Sequence, residues 1–259
     1  MNSLIVYAHP EPKSLNGSLK DLAISTLRTA GHEVRVSDLY AMRWKAVVDA
    51  TDYGPEASNP LRVARDSGRA FDAGTLTPDV LIEQEKLRWA DVTIFQFPLW
   101  WYTMPAILKG WVDRVFSSHF AYGVGEYSDT RFGDRFGEGT LAGRKALLSV
   151  TVGGSESHYC ARGINGPIED LLFPIQHGIL YHPGIEVLPP FVLYSADRLT
   201  SEDYADVAKA WKQRLLTLDS TEPIAFRQQN SGDYEIPSLR LKEGVEPAGR
   251  TGFGLHLRH

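Results

Sequence analysis

The stretch "DVTIFQFPLWWYTMPAILKGWVDRVF", residues 91–116, changes its hydrophobic pattern part-way along. Its opening residues form a short apolar run that is typical of a strand buried on both faces. From Pro105 onward the apolar residues recur at helical spacing, and proline is tolerated in the first turn of a helix. The stretch therefore predicts a strand followed by a helix, with Trp100, Trp101 and Tyr102 on the connection between them.

Four further apolar runs predict strands, and amphipathic helical patterns separate them along the chain. Five strands joined by crossover helices predict an α/β fold, in which a doubly wound five-stranded parallel sheet has helices on both faces. From residue 220 the chain is polar and rich in Gly and Pro. We therefore expect one domain over residues 1–219 and an extended tail over residues 220–259. The four further strands are predicted at residues 3–8, 32–39, 144–152 and 185–194.

The composition limits the class of protein. The 259 residues are 43% hydrophobic and 23% charged, with a formal net charge of −5, which argues against wholesale disorder and against nucleic acid as a partner. We find no apolar run near the ~20 residues of a membrane span, and no basic leader before the first strand. Cys160 is the only cysteine, so neither an intramolecular disulfide nor a tetrathiolate zinc site is expected. These features predict a cytoplasmic protein.

The loop after the first predicted strand offers a candidate anion site. Ligands of such sheets bind beyond the carboxyl ends of the strands, where the strand order reverses. This loop has neither a dinucleotide-binding G-x-G-x-x-G nor a P-loop. Ser14 and Asn16 stand at the start of a predicted helix, whose free N–H groups favour an anion. Either residue can instead be a simple helix cap, and the two roles are compatible.

Two other loops are expected at the same edge. Trp100, Trp101 and Tyr102 offer a flat surface on which a planar ring can stack, or else a hydrophobic plug or oligomer contact. After the fourth strand, Gly153 and Gly154 allow a ligand to approach the backbone, or else form a plain turn. The G-x-S-x-G of hydrolases lacks its second glycine here. Together the three loops suit a flavin better than a nicotinamide dinucleotide.

The chain resembles the NAD(P)H:quinone oxidoreductases of the DT-diaphorase type, which are flavodoxin-like flavoenzymes with long loops and a C-terminal extension. The matching segments occur in the family's order between residue 4 and about residue 217, and the tail resembles the family's extension only loosely. They are "LIVYAHPEPKSLN", "SDLYAM", "TPDVLIEQEKL", "FQFPLWWYTMPAILKGWVDRVF", "FAY", "GGSESHY" and "PIQHGIL".

The resemblance implies a homodimer with a flavin at its interface, FAD in most members and FMN as the other possibility. A slot beside the flavin would take NAD(P)H and a quinone in turn, with Tyr122 supplied by the partner subunit. The flavin would be held by His9, Ser14, Leu15, Asn16, Pro98, Leu99, Trp100, Trp101, Thr151, Val152, Gly153, Gly154 and Tyr159. The slot would be formed by Trp101, Tyr102, Ala121, Tyr122, Gly154, Asn165 and His182.

The implied reaction is a ping-pong, two-electron reduction of quinones. Reduced nicotinamide would pass hydride to the flavin and leave, and a quinone would then take hydride in the same slot. The catalytic residues would be Gly153, Gly154, Tyr159 and Asn165. Donors from the two glycines and the Tyr159 hydroxyl would stabilise the charge that reduction places on the flavin's N1–C2=O2 edge.

Some positions depart from the family's pattern. Asn165 stands where the best-known members have a histidine that is proposed to relay a proton, and an amide cannot titrate near neutral pH. A branch of the family that also has asparagine there prefers dihydronicotinamide riboside to NAD(P)H, so the hydride donor stays open. Val124 stands where an aromatic gate is common. His182 replaces a common phenylalanine, either as a proton source or as an ordinary polar residue.

The family's zinc arrangement needs two histidines one helical turn apart. The chain has His177 but Tyr181 at the second position, so we predict no metal.

Three other functions compete with quinone reduction on the same scaffold. They are a flavodoxin-like electron carrier, an FMN-dependent azo, nitro or drug-modifying reductase, and a sensor without catalysis. The tail has too few apolar residues to pack alone, and we expect it to lie along the partner subunit near the active site.

Overall fold

A parallel sheet forms the centre of the molecule in the computed structural model, which describes residues 1–258. The strand order is β2-β1-β3-β4-β5. A sixth strand, β6, also pairs with β4, at the end of β4 that β5 does not reach. This arrangement confirms the predicted α/β fold with a parallel sheet. The strands are β1 (Asn2–Tyr7), β2 (Glu33–Asp38), β3 (Val92–Pro98), β4 (Lys145–Thr151), β5 (Glu186–Val187) and β6 (Phe191–Leu193).

Helices cover both faces of the sheet. Trp211 and Leu19 belong to the apolar cluster on one face, and Trp111 belongs to the larger cluster on the other. The helices are α1 (Leu15–Thr29), α2 (Val63–Asp72), α3 (Pro78–Trp89), α4 (Ala106–Val115), α5 (Ile168–Phe173) and α6 (Ser201–Leu216). The helical chain continues from α5 as a π-helix over Pro174–Tyr181. α6 begins with a capping box formed by Thr200 and Asp203.

The fifth predicted strand, residues 185–194, is two short strands. β5 pairs with the start of β4 at Lys145 and Ala146, whereas β6 pairs with its end. Pro189 and Pro190 lie between them, and proline has no N–H with which to continue a ladder. The sheet therefore has six strands where five were predicted. All of its strand pairings are parallel, as predicted.

The strand order reverses at β1 and β3, which pair with each other in parallel. Polar bonds connect the start of α1 to the carboxyl ends of the neighbouring strands. The Asn16 side-chain amide donates to Thr151 Oγ1 at 2.8 Å, and Gln96 Nε2 donates to the Asn16 carbonyl oxygen at 2.5 Å. The loops after β1, β3 and β4 consequently meet at one edge, as the sequence predicts.

The C-terminal tail packs on its own chain. Phe226 is buried in the larger apolar cluster, and its carbonyl oxygen accepts a hydrogen bond from the Tyr181 hydroxyl at 3.3 Å. Arg227 forms ion pairs with Asp233 at 3.0 Å and with Glu246 at 2.5 Å. Contact of the tail with a partner subunit stays a prediction, as does the division of the chain at residue 220.

Within residues 1–258, no helix is both long enough and apolar enough to cross a membrane.

Candidate active site

A cavity of about 320 Å³ lies where the loops after β1, β3 and β4 meet. We call it the cofactor cavity. It brings together most of the residues that the sequence assigns to a flavin, whereas Trp101, Val152, Gly154 and Tyr159 are not among its lining residues. The lining residues are His9, Ser14, Leu15, Asn16, Pro98, Leu99, Trp100, Thr151, Gly153, Ala196 and Asp197.

Ser14 is the N-cap of α1. Its hydroxyl oxygen accepts a hydrogen bond from the Gly17 N–H at 3.1 Å, so the capping role is confirmed. The first turn of α1 contains no acidic residue that would repel an anion. An N-terminus of this kind carries partial positive charge. Binding of a phosphate group at this helix end stays a prediction.

Asn16 provides a test of whether the cavity fits a flavin. The residue is 4% exposed, and its Oδ1 atom has no hydrogen-bond partner within the described chain. A buried acceptor without a partner costs about 1–3 kcal/mol. A ligand hydroxyl, such as those of the ribityl chain of a flavin, would remove that cost, and the residues present fit such a group.

Ala196 and Asp197 line the cofactor cavity but were not among the predicted site residues. They lie in a 3₁₀ turn after β6, which is tied to the β4 loop because the Ala196 N–H donates to the Val152 carbonyl at 3.0 Å. A Cβ atom at Gly153 would lie 2.8 Å from Asp197 Oδ2. Their position at the carboxyl end of the last strand is the signal that could have revealed them.

The glycine pair after β4 lies against an aromatic ring. A Cβ atom at Gly154 would lie 2.9 Å from Cε2 of Tyr159, so only glycine allows this approach. Within residues 1–258, the Gly153 and Gly154 N–H groups have no hydrogen-bond acceptor. Tyr159 also packs beside Tyr194, with ring centroids 5.9 Å apart. The pair therefore offers two free donors beside a tyrosine hydroxyl.

The aromatic loop after β3 is a tight two-residue turn. Trp100 and Thr103 exchange both backbone hydrogen bonds, at 3.0 and 3.1 Å. The two central residues, Trp101 and Tyr102, have φ angles of 49° and 63°. Such turns normally carry Asn-Gly, and bulky residues with positive φ are strained. The turn exposes 94% of Trp101, which leaves its ring free to stack on another group.

Tyr102 also contacts the loop after β4. Its hydroxyl donates to Asn165 Oδ1 at 3.0 Å. The structure therefore brings together two of the predicted slot residues from loops that are far apart in sequence.

Three of the other predicted slot residues line a second cavity of about 600 Å³, which shares no lining residue with the cofactor cavity. Ala121, Tyr122 and His182 belong to it, together with Arg135. Burial lowers the pKa of His182, and the charge of Arg135 lowers it further. Both effects favour the neutral form of the His182 ring. Within one chain, the predicted slot residues therefore lie in two separate places. Tyr102 and Asn165 contact each other beside the β3 and β4 loops, and Ala121, Tyr122 and His182 line the second cavity.

His177 lies in a stack of rings instead of a ligand set. Its ring is 4.6 Å from that of Phe173 and 4.7 Å from that of Phe136, both nearly parallel to it. In the part of the chain that the structure describes, no three His, Cys, Asp or Glu side chains are grouped as metal ligands would be.

Comparison with known proteins places this geometry in a family. A family model for the flavodoxin-like fold matches residues 1–215. The chain belongs to this flavodoxin-like family. It is 53% identical over 260 residues to the ribosyldihydronicotinamide dehydrogenase-like protein traD of Penicillium crustosum, covering 100% of this chain and 96% of that one.

Two further matches extend over nearly the whole flavodoxin-like chain and its tail. NAD(P)H dehydrogenase (quinone) 1 of Rattus norvegicus is 37% identical over 261 residues, covering 99% of this chain and 92% of the rat chain. A solved structure from Klebsiella pneumoniae, described as a proposed quinone reductase, is 58% identical with a TM-score of 0.97, and each chain covers 100% of the other. The resemblance to this enzyme family is thereby confirmed.

Proposed function

We propose that this protein is a flavin-dependent oxidoreductase that reduces quinones by two electrons at the expense of a reduced nicotinamide. The cofactor cavity, at which the three loops meet around the unpaired Asn16 Oδ1, is the observation that supports this function most strongly. When bound, a flavin supplies hydride transfer between the nicotinamide and the quinone. The relatives named for NAD(P)H and ribosyldihydronicotinamide dehydrogenases support the same reaction class.

Different residues of the cavity would contact different parts of a bound flavin. The α1 N-terminus, capped by Ser14, faces the cavity and favours a phosphate group. Trp100 provides an aromatic wall, and Asn16 provides an acceptor for a ligand hydroxyl. We propose FAD as the cofactor, following the resemblance, with FMN as the alternative. Heating the purified protein and identifying the released flavin distinguishes the two.

The hydrogen-bond donors in the loop after β4 are proposed to stabilise the charge of a reduced flavin. We propose that the N–H groups of Gly153 and Gly154 and the hydroxyl of Tyr159 stabilise negative charge on a bound ring. The close approach of Gly154 to the Tyr159 ring supports this proposal. Loss of one donor in a comparable role costs about 2.7–4 kcal/mol of transition-state stabilisation. Because three donors share the charge, we expect a smaller loss for any one of them.

We also propose that the active unit is a homodimer. Trp101 is 94% exposed, and Tyr122 lines a cavity separate from the cofactor cavity. A second copy would supply Tyr122 to the slot beside Trp101. A hybrid dimer tests this directly: a chain with Gly154→Val and a chain with Tyr122→Ala should each be inactive as homodimers. Their hybrid should regain about half of the wild-type activity, since one of its two sites is intact, and an inactive hybrid would contradict shared sites.

Steady-state kinetics tests the reaction itself. NADH, NADPH and dihydronicotinamide riboside are each varied against one quinone, and a ping-pong reaction gives parallel double-reciprocal lines. Converging lines would contradict the shared slot, and protein that takes up neither flavin would contradict the whole proposal. Reduction of an azo dye but of no quinone would favour the drug-modifying alternative. Because Cys160 is the only cysteine, we propose a cytoplasmic location.

A further inference from the structure

The hydrogen bond between Tyr102 and Asn165 joins two loops that end at the proposed substrate slot. The Tyr102 hydroxyl donates to Asn165 Oδ1 at 3.0 Å, across 63 positions of sequence. A phenol can donate one hydrogen, and an amide has one oxygen and one NH₂ group. The bond therefore determines which end of the Asn165 amide is engaged and which end is free.

The backbone around Asn165 is held in place by hydrogen bonds within its own loop. Its backbone N–H donates to the His158 carbonyl at 3.0 Å. The same loop is closed by a bond from the Gly163 N–H to the Cys160 carbonyl at 2.9 Å, and a Cβ atom at Gly163 would lie 2.2 Å from the His158 oxygen. The backbone of Asn165 is therefore fixed by hydrogen bonds within its loop, and the direction of its amide depends on the side-chain torsions.

Tyr102 itself is held by the turn after β3. It has a φ of 63° between residues that exchange two backbone hydrogen bonds. A strained backbone of this kind is a common feature of functional sites, where it fixes the direction of a side chain. The hydroxyl is therefore presented from one fixed loop to the amide of another.

We propose that Tyr102 is a positioning residue that orients the Asn165 amide, leaving its NH₂ group as a hydrogen-bond donor to a carbonyl oxygen in the slot. This inference rests on the proposed function, because it concerns the same slot. The ligand chemistry is a neutral carbonyl acceptor. It belongs either to the quinone or to the carboxamide of the nicotinamide. Because an amide does not titrate near neutral pH, this donor is present at every pH at which the enzyme works.

Two conservative variants separate the two halves of this arrangement. Tyr102→Phe removes the hydroxyl and leaves the Asn165 amide free to rotate, so that its oxygen and its NH₂ group can exchange places. Asn165→Asp keeps an acceptor for the Tyr102 hydroxyl but removes the donor. Tyr204→Phe on α6 is the matched control, since it removes the hydroxyl of a residue that lines neither cavity.

Equilibrium binding to the oxidised holoenzyme is the main measurement. A quinone and, separately, oxidised nicotinamide riboside are titrated while the flavin absorbance is followed. We expect Tyr102→Phe to raise the Kd of the carbonyl ligand about 5-fold, the change that corresponds to one neutral hydrogen bond. Asn165→Asp should raise it by about 10-fold or more, and Tyr204→Phe should leave it unchanged. The titration in which the Kd changes identifies the quinone or the nicotinamide as the ligand.

A double-mutant cycle tests the positioning role. In the Asn165→Ala background, Tyr102→Phe should have no further effect on the Kd, because nothing is left to orient. In turnover, Tyr102→Phe should raise KM more than it lowers kcat, and the pH profile should keep its shape. Equal effects of Tyr102→Phe in both backgrounds, or an unchanged Kd for both ligands, would overturn the inference while leaving quinone reduction intact. A wild-type holoenzyme that reduces no quinone would overturn both.

Discussion

The strongest stability prediction concerns His177 in a column of four rings. The centroids along Phe136, His177, Phe173 and Phe253 are separated by 4.7, 4.6 and 4.3 Å, and adjacent planes lie within 23° of parallel. The column joins the π-helix to the C-terminal tail. His177 Nε2 is buried and has no partner among the described residues. Burial lowers the pKa of His177 to about 4, and the charges of His256 and His182 add to the effect.

The direction and size of the pH effect follow from this shift. The pKa is about 4 in the folded protein and 6.5 for an ordinary histidine, so between these values the unfolded chain binds the proton more tightly. The free energy of unfolding should therefore fall as pH decreases from about 6.5 to about 4 and level off below that. The shift corresponds to about 3 kcal/mol, since each pKa unit is worth about 1.36 kcal/mol.

Urea denaturation at pH values from 7.5 to 4 measures this loss. The wild-type protein should lose about 3 kcal/mol more than the His177→Phe variant, which keeps a ring in the column but cannot titrate. Acid-sensitive groups that do not interact with His177 contribute equally to both proteins, whereas the effects of His256 and His182 on His177 are part of the difference. Phe253→Leu is the control, because it weakens the column at every pH without altering its titration. If His177→Phe shows the full acid dependence of the wild type, the reasoning from burial is refuted.

Two single substitutions and one double replacement test separate parts of the structure. Arg114→Met should lower the free energy of unfolding in urea by about 3 kcal/mol, because it removes the guanidinium 2.9 Å from the buried Asp52 carboxylate and leaves Lys45, 3.1 Å away, as its cationic partner. Gly110→Ala should lower it by about 1–3 kcal/mol, because the new Cβ would lie 2.1 Å from a backbone oxygen. Replacing Trp101 and Tyr102 together by Asn and Gly should raise the melting temperature and lower quinone turnover, since it relieves turn strain and removes two aromatic rings of the proposed slot.

Much of the fold can be predicted from the sequence because its apolar runs are short, continuous and bounded by turn residues. β1, β3 and β4 are buried along nearly their whole length, so their residues are apolar on both faces and easily recognised. The division of the last strand is harder. Proline lacks a ladder donor, but only the packed sheet shows that the chain pairs with β4 on both sides of Pro189 and Pro190.

The candidate site is less predictable, because it depends on contacts between distant loops. Asp197 lies beside Gly153 only after β6 has packed on β4. The turn at Trp101 and Tyr102 runs against the preference for Asn-Gly, so no propensity rule would place both residues at positive φ. Violations of local rules are expected at functional positions, where the surrounding structure holds a strained backbone.

Phe136 connects the ring column to the second cavity. Its ring packs edge-on against His182 at 4.8 Å, and its N–H donates to the His182 carbonyl at 2.9 Å. From the tail, the Gln229 N–H donates to the Phe136 carbonyl at 3.1 Å, and Gln229 Oε1 accepts from Arg135 at 2.6 Å. Since Arg135 and His182 both line that cavity, the tail helps to shape a wall of the proposed substrate slot. A substitution that weakens the contacts of the tail with Phe136 should therefore alter quinone preference as well as stability. Both effects are expected because the Phe136 ring contacts the ring column and also His182 of the cavity wall.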